Sequence, residues 1–243
     1  MERRIAAVTG AGQGIGRAIA KRLAEDEFRV IVIDRNAAAA DDTVAAIRQA
    51  GGEAESAAID ICDRGSVSAL FQRQPSLDVV VNNAGIFTDR PFFDLTEADF
   101  DAAHKVNVVG LFVVAQEAAR RMQPGGRIIN IASRAFLGAR GHAHYVASKA
   151  AVVGLTRAMA MELAGREIFV NAIAPGLIDT PMLQALSPDR LRQQLALQPT
   201  GKAGTPDDVA NAVAFFASPR TGFITGQVLL VDGGKSLGGG LGI

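Results

Sequence analysis

The 243-residue sequence predicts an α/β chain built on a doubly wound parallel sheet of about seven strands. Short apolar runs rich in β-branched residues recur along the chain, nearly continuous in apolar character and bounded by glycine or polar turns. Strands buried on both faces of a parallel sheet read this way. Between the runs lie amphipathic or alanine-rich stretches of helical length, and such alternation implies right-handed βαβ units. The chain carries no linker-like Pro/Ser/Gly run, solenoid repeat or charge block before its glycine-rich tail at 232–243, so residues 1–243 are expected to form one domain.

The elements follow in order. "IAAVT" (5–9) leads through a glycine-rich turn into a helix over about 15–26, and "RVIVID" (29–34) precedes one over 37–50. "ESAAID" (55–60) precedes a helix over 65–73, and "LDVVV" (77–81) precedes a long one over 97–122. "RIINIA" (127–132) is followed by a helix over 145–164 that is apolar nearly all round, and "IFVNAIA" (168–174) by helices over 188–197 and 206–218. A helix apolar on every side is buried on more than one side. "QVLLVD" (227–232) supplies the last strand.

Composition excludes several classes. Twenty-five basic residues balance 25 acidic ones, which removes any global electrostatic case for nucleic acid or anionic membranes. A lone cysteine, Cys62, excludes an intramolecular disulfide framework and a cysteine-built metal site, and no metal is expected. The charged start "MERR" is not followed by a long apolar signal region, and no stretch reaches the roughly 18 apolar residues a membrane span needs. The expectation is a soluble, cytoplasmic protein.

The first strand–helix turn, "VTGAGQGIGRAIA", carries Gly10, Gly12, Gly14 and Gly16 in a T-G-x-x-x-G-x-G pattern, with Gln13 and Ile15 between. Glycines permit a tight turn and close backbone approach, and the helix start aims free N–H groups at a pyrophosphate. Asp34 ends the second strand 20 residues after Gly14, where a carboxylate can accept hydrogen bonds from an adenosine ribose. The same charge would repel a 2′-phosphate, which favours NAD over NADP. Arg35 beside it pulls the other way, because a guanidinium can pair with that phosphate.

With "TGAGQGIG" (9–16), "DVVVNNAG" (78–85), "KVNVVG" (105–110), "RIINIAS" (127–133), "YVASKAAV" (145–152) and "NAIAPGLIDTPM" (171–182) in this order, the chain resembles the short-chain dehydrogenase/reductase family over nearly its whole length. The resemblance implies a Rossmann-type fold and a catalytic set of Asn107, Ser133, Tyr145 and Lys149. It implies adenine contacts at Asp60 and Ile61 and an adenosine-ribose wall of Asn83, Ala84 and Gly85. Pro175, Gly176, Ile178 and Thr180 are expected at the nicotinamide, with Ile178 and Thr180 meeting its carboxamide. It also implies a homotetramer, or a dimer, formed through the helices matching 97–122 and 145–164 and through the last strand. In one respect the chain departs from the pattern. Ser133 precedes Tyr145 by 12 residues where many members have 13, which bears on the substrate pocket more than on catalysis.

The chemistry of this set is intelligible. Tyr145 and Lys149 are four residues apart on a helix and so project from one face. A free phenol titrates near 10, and bringing it towards neutrality calls for about 3–4 kcal/mol of preference for the phenolate. An ammonium and an oxidised nicotinamide, both cationic, are expected to supply it. Tyr145 is then the base for a substrate hydroxyl, Ser133 orients that oxygen, Lys149 holds the nicotinamide ribose, and Asn107 positions a relay water.

Around Tyr145, "GARGHAHY" offers His142 and His144, read first as surface loop histidines, with His142 a candidate substrate contact. Arg134, Phe136 and Met182 are further substrate candidates. Arg134 and Arg140 could meet an anionic substrate, and Phe87, Phe136, Leu137 and Met182 could line an apolar pocket or belong to the core. The segment 183–198 reads as a lid. The leading expectation is an NAD-dependent oxidoreductase of a secondary alcohol, sugar, polyol or hydroxylated ring. Its alternatives are an NADPH-dependent 3-oxoacyl-carrier-protein reductase and a catalytically silent nucleotide-sensing protein.

Overall fold

The computed structural model describes residues 3–184 and 186–238, with the backbone alone at Met182. Seven parallel strands form one sheet in the order β3-β2-β1-β4-β5-β6-β7. In chain order these are β1 (Ile5–Thr9), β2 (Arg29–Asp34), β3 (Glu53–Ala58), β4 (Leu77–Asn82), β5 (Met122–Ile131), β6 (Phe169–Pro175) and β7 (Val228–Val231). The central strands are buried along their length, as their unbroken apolar runs require. The edge strand β3 instead alternates buried and exposed positions, and it ends two residues before the expected boundary. Asp60 and Ile61 therefore sit in the turn beyond it.

Helices cover both faces. On one, α1 (Gly14–Glu25), α2 (Ala37–Gln49) and α9 (Pro206–Ala217) bury Ile19, Leu23, Val44, Ile47, Val213 and Phe216 against the sheet. On the other, α3 (Arg64–Gln72), α5 (Leu111–Arg121) and α6 (Ala143–Leu163) bury Leu70, Phe71, Val114 and Ala118 and the face of α6 that carries Val152.

The long helix expected over 97–122 is not continuous α-helix. α4 (Glu97–His104) passes through a π turn at Lys105–Gly110 before α5 begins. Such wide turns often mark functional sites, because they displace a side chain from the regular spiral. Here the displaced turn carries Asn107, and a side chain at Gly110 would press into Ile61, whose Cδ1 lies 2.8 Å from a built Cβ.

The segment expected as a lid folds into α7 (Pro181–Gln184) and α8 (Pro188–Ala196), the latter capped by Ser187. After β7 the tail makes a short 3-10 turn, Lys235–Leu237. Residues 239–243 of the glycine-rich tail lie outside the described residues.

Candidate active site

Strand order reverses between β1 and β4, and in open parallel sheets ligands occupy the crevice outside the carboxyl ends at that switch point. A cavity of about 1520 Å³ opens there, large enough for a dinucleotide and a further ligand.

Its floor is the glycine turn. Gly10 and Gly14 hold φ of +61° and +54°, values L side chains avoid. A side chain at Gly16 would collide with the Gly10 carbonyl and approach Asn83 Nδ2 to 2.5 Å, so only glycine lets α1 pack this tightly on β1. Gln13 caps α1 without a side-chain hydrogen bond, and no acidic residue occupies the first turn. Its leading N–H groups therefore remain available to an anion. The ends of β1 and β4 are tied by Thr9, whose hydroxyl accepts from the Asn83 and Ala84 N–H groups at 3.0 Å each, and by Asn83 Nδ2, which donates to the Thr9 and Gly10 carbonyls. Thr9 was not singled out in the sequence; its signal lies only in its place before the glycine turn.

At the adenosine end, Asp34 accepts from Gly12 N–H at 2.9 Å and from Asn36 N–H at 3.0 Å. That fixes the carboxylate at the cavity wall, where it can accept from ribose hydroxyls. Gly12 serves by holding Asp34 and does not line the cavity itself. Arg35, Asp60, Ile61, Asn83, Ala84 and Gly85 line the cavity, as do Pro175, Gly176, Ile178 and Thr180.

Three of the four side chains expected to be catalytic, Ser133, Tyr145 and Lys149, converge where β5 and α6 meet. Ser133 follows β5 and caps the 3-10 turn Arg134–Leu137, its hydroxyl accepting from Ala135 N–H. Tyr145 lies in the first turn of α6, with the Phe87 ring edge-on to it at 5.0 Å. Lys149, one turn on, is buried, and its Nζ donates to the Ile131 carbonyl at 2.8 Å. Burial lowers its pKa to about 8. Nζ stands 5.8 Å from the Tyr145 ring centre.

Burial pushes the Tyr145 phenol up, and hydrogen bonding with Ser133 pulls it only part of the way back. Burial is thus the larger influence on the Tyr145 phenol, while Lys149 Nζ is hydrogen-bonded to the Ile131 carbonyl. Asn107 is 1% exposed and lies off the cavity wall. It accepts from Ile86 N–H at 2.8 Å and donates to the Ile86 carbonyl and to Ser148 Oγ, both at 3.0 Å. Ser148 in turn donates to the Tyr145 carbonyl. With both amide protons committed, Asn107 splints the loop after β4 to the helix that carries Tyr145.

The substrate candidates divide. Arg134, Arg140, Phe87 and His142 line the cavity, whereas Phe136 packs beside the core around Val152 and Leu137 points outward. The surface reading of His144 fails: it is buried and hydrogen-bonded with Thr88 Oγ1 at 2.8 Å. The Met182 side chain lies outside the described residues. Asp89, which no local pattern marks, joins three segments. It takes Arg190 of α8 at 3.1 Å and faces His142 Nδ1 at 3.8 Å, while Gly141 packs so close that a built Cβ would lie 2.6 Å from its Oδ1. Burial outweighs Asp89 and leaves His142 below its ordinary pKa.

A glycine cradle at the switch point with a Ser–Tyr–Lys cluster beyond it defines an oxidoreductase that uses a nicotinamide dinucleotide. The chain belongs to the short-chain dehydrogenase/reductase family. Residues 10–236 match the family model described as enoyl-(acyl carrier protein) reductase. The chain is 41% identical to (2S)-[(R)-hydroxy(phenyl)methyl]succinyl-CoA dehydrogenase subunit BbsD of Thauera aromatica, over 98% of each chain. It is 38% identical to the 3-oxoacyl-[acyl-carrier-protein] reductase FabG of Thermotoga maritima, over 96% of this chain and 98% of that one. A 7α-hydroxysteroid dehydrogenase solved with NADH and 7-oxoglycochenodeoxycholic acid superposes with a TM-score of 0.89 at 38% identity, covering 95% of this chain and 93% of that one. The described helices include none long and apolar enough to cross a membrane, and no cluster of metal-ligating side chains occurs among the described residues.

Proposed function

We propose that the chain is an NAD-dependent oxidoreductase that interconverts a secondary alcohol and its ketone. The observation that carries this reading is the placement of Tyr145 and Lys149 on one face of α6, beside Ser133 and at the open end of the glycine-cradled crevice.

The glycine turn and the first N–H groups of α1 would hold the pyrophosphate, and Asp34 would accept from the adenosine ribose. Asp60 and Ile61 border the adenine. Pro175, Gly176, Ile178 and Thr180 border the nicotinamide, which supplies the hydride acceptor when bound. Lys149, steadied by the Ile131 carbonyl, donates to the nicotinamide ribose. Ser133 hydrogen-bonds the substrate oxygen. Tyr145 removes the hydroxyl proton as hydride leaves the carbinol carbon, and returns it to the carbonyl oxygen in the reverse direction. Asn107 is a positioning residue that holds the loop at Ile86 against α6.

NAD is favoured because the fixed Asp34 carboxylate repels a 2′-phosphate, while Arg35 is exposed at the rim. The similarity to 3-oxoacyl-carrier-protein reductases supports a second reading, NADPH-dependent ketone reduction, which makes the opposite prediction for cofactor choice. A homotetramer fits the apolar side chains left exposed on the elements the family pairs: Val109 and Phe112 on the π turn and α5, Met161 on α6, and Leu229 on β7. A cytoplasmic location agrees with the near-neutral charge and single free cysteine.

A panel of secondary alcohols with NAD⁺, followed at the reduced-nicotinamide absorbance, tests the proposal. Tyr145→Phe should lower turnover of any active substrate by about 10²–10⁴-fold. Unchanged turnover in that variant would overturn the mechanism, whereas no turnover of any alcohol in the parent chain would favour a nucleotide-binding protein.

A further inference from the structure

The cavity extends beyond the catalytic cluster, and its outer wall is strongly asymmetric in charge. Besides Arg35 at the adenosine end and the buried Lys149, its basic lining residues are Arg134, Arg140, Arg190 and Lys235. Asp34 and Asp60 belong to the adenosine end, which leaves Asp89 as the acidic lining residue here, and Arg190 already occupies it. Burial holds His142 below its ordinary pKa, against the pull of Asp89. Arg134 and Arg140 have no carboxylate partner among the described residues.

Lys235 comes from the glycine-rich tail, and the fold places it there deliberately in the physical sense that several contacts fix its turn. Asp232 accepts from Gly234 N–H at 3.0 Å and from Ser236 N–H at 2.8 Å. Gly233 and Gly234 take φ of +62° and +84°, which a tight reversal needs. Asp232 itself packs so closely on Gly176 that a built Cβ there would lie 2.7 Å from its Cα. The turn is thus seated on the loop that borders the nicotinamide. Both Asp232 carboxylate oxygens are engaged by the turn, so the lysine has only partial compensation. Burial and the nearby Arg134 guanidinium both lower the Lys235 pKa, against the Asp232 charge. Two like charges converging on one partly buried space are costly unless an anion joins them.

The cavity also carries apolar side chains. Phe87, Phe92, Leu186 and Leu197 line it, and Phe92 is 71% exposed with the Phe93 ring edge-on at 5.6 Å. Large aromatic surface left open at a cavity rim marks a place where an apolar ligand is buried.

We propose that the substrate is an amphipathic organic anion, an alcohol or ketone whose apolar body lies along the Phe87–Phe92–Leu197 wall and whose carboxylate or phosphate sits between Arg134 and Lys235. The inference rests on the alcohol–ketone reading above, and it makes Arg134 and Lys235 specificity-determining residues. It also gives the glycine-rich tail a task, since the tail carries one of the two cations.

The test is a binding measurement that needs no turnover. The full chain saturated with NAD⁺ is titrated calorimetrically with phenylsuccinate, with phenyl phosphate and with neutral dimethyl phenylsuccinate. Saturable binding of at least one anion is expected in the millimolar range or tighter, with the neutral diester at least about tenfold weaker. The tighter anion tells carboxylate from phosphate. Arg134→Gln and Lys235→Gln should each weaken the anion by about tenfold or more and leave the diester unchanged. Arg192→Gln, an exposed cation on α8 outside the cavity wall, should change neither. Equal binding of diester and anion, retained affinity in both variants, an equal loss in Arg192→Gln, or no saturable binding of either anion overturns the proposal. Any of these results leaves Tyr145-dependent turnover to be judged separately, so the two failures are distinguishable.

Discussion

The Lys149 ammonium donates to the Ile131 carbonyl at 2.8 Å, inside the protein and one helical turn from Tyr145. This bond joins the end of a central strand to the catalytic face of α6 and fixes where the positive charge stands. It also has a measurable consequence. Burial lowers the pKa of Lys149 to about 8 from an ordinary value near 10.5. Between those limits the unfolded chain binds more protons than the folded one, so the contribution of this group to stability rises with pH across about 8–10.5. The full change is on the order of 3 kcal/mol. Denaturant unfolding at pH 7 to 10 should show this rise in the parent chain and lose it in Lys149→Met. A parallel pH dependence in the two proteins would contradict a Lys149 pKa lowered by burial.

Asp34 should govern the choice of cofactor. Removing its charge in Asp34→Ala frees the 2′ position and leaves exposed Arg35 beside it. The ratio of kcat/KM with NADP⁺ to that with NAD⁺ is expected to rise at least about tenfold. A parent chain that already prefers NADP⁺ would support the reductase reading instead.

Gly16 and Gly14 should respond differently to alanine. A Cβ at Gly16 meets backbone of the same turn, whereas at Gly14 the nearest neighbour is Thr180 Cγ2 at 3.8 Å and the cost comes only from the positive φ. Gly16→Ala should lose about 1–3 kcal/mol of stability and weaken nucleotide binding at least about tenfold. Gly14→Ala should cost about 1 kcal/mol. Thermal unfolding with and without NAD⁺ compares them.

Asn107→Ala removes the partners of the Ile86 N–H and carbonyl in a buried setting. It should destabilise the chain by about 1–3 kcal/mol and lower kcat through the loosened loop. A variant that loses activity with no loss of stability would mean that Asn107 acts on the proton path directly rather than as a splint.

Much of this was legible along the chain. The glycine turn, Asp34 and the Tyr145/Lys149 pair are local patterns, each set by the period of its own element, and all lie where that reading placed them. The edge strand β3 ended early because one sheet face there meets solvent, which apolar patterning over "ESAAID" does not reveal. The π turn at 105–110 was invisible because its residues suit an α-helix equally well; the close fit of Gly110 on Ile61 is a tertiary matter.

The sequence by itself determined the α/β alternation, the phosphate cradle and the identity of the side chains that can carry hydride-transfer chemistry, because these depend on backbone freedom and periodicity within a few residues. Only the tertiary structure decided how those groups are used. It turned Asn107 inward, buried His144, kept His142 at the cavity, and spent the charge of Lys149 on Ile131. It also brought Lys235, about 100 residues beyond Arg134, to the same cavity. Burial, charge and hydrogen-bond partners are properties of neighbours in space, and the chain order of residues far apart does not encode them in any local pattern.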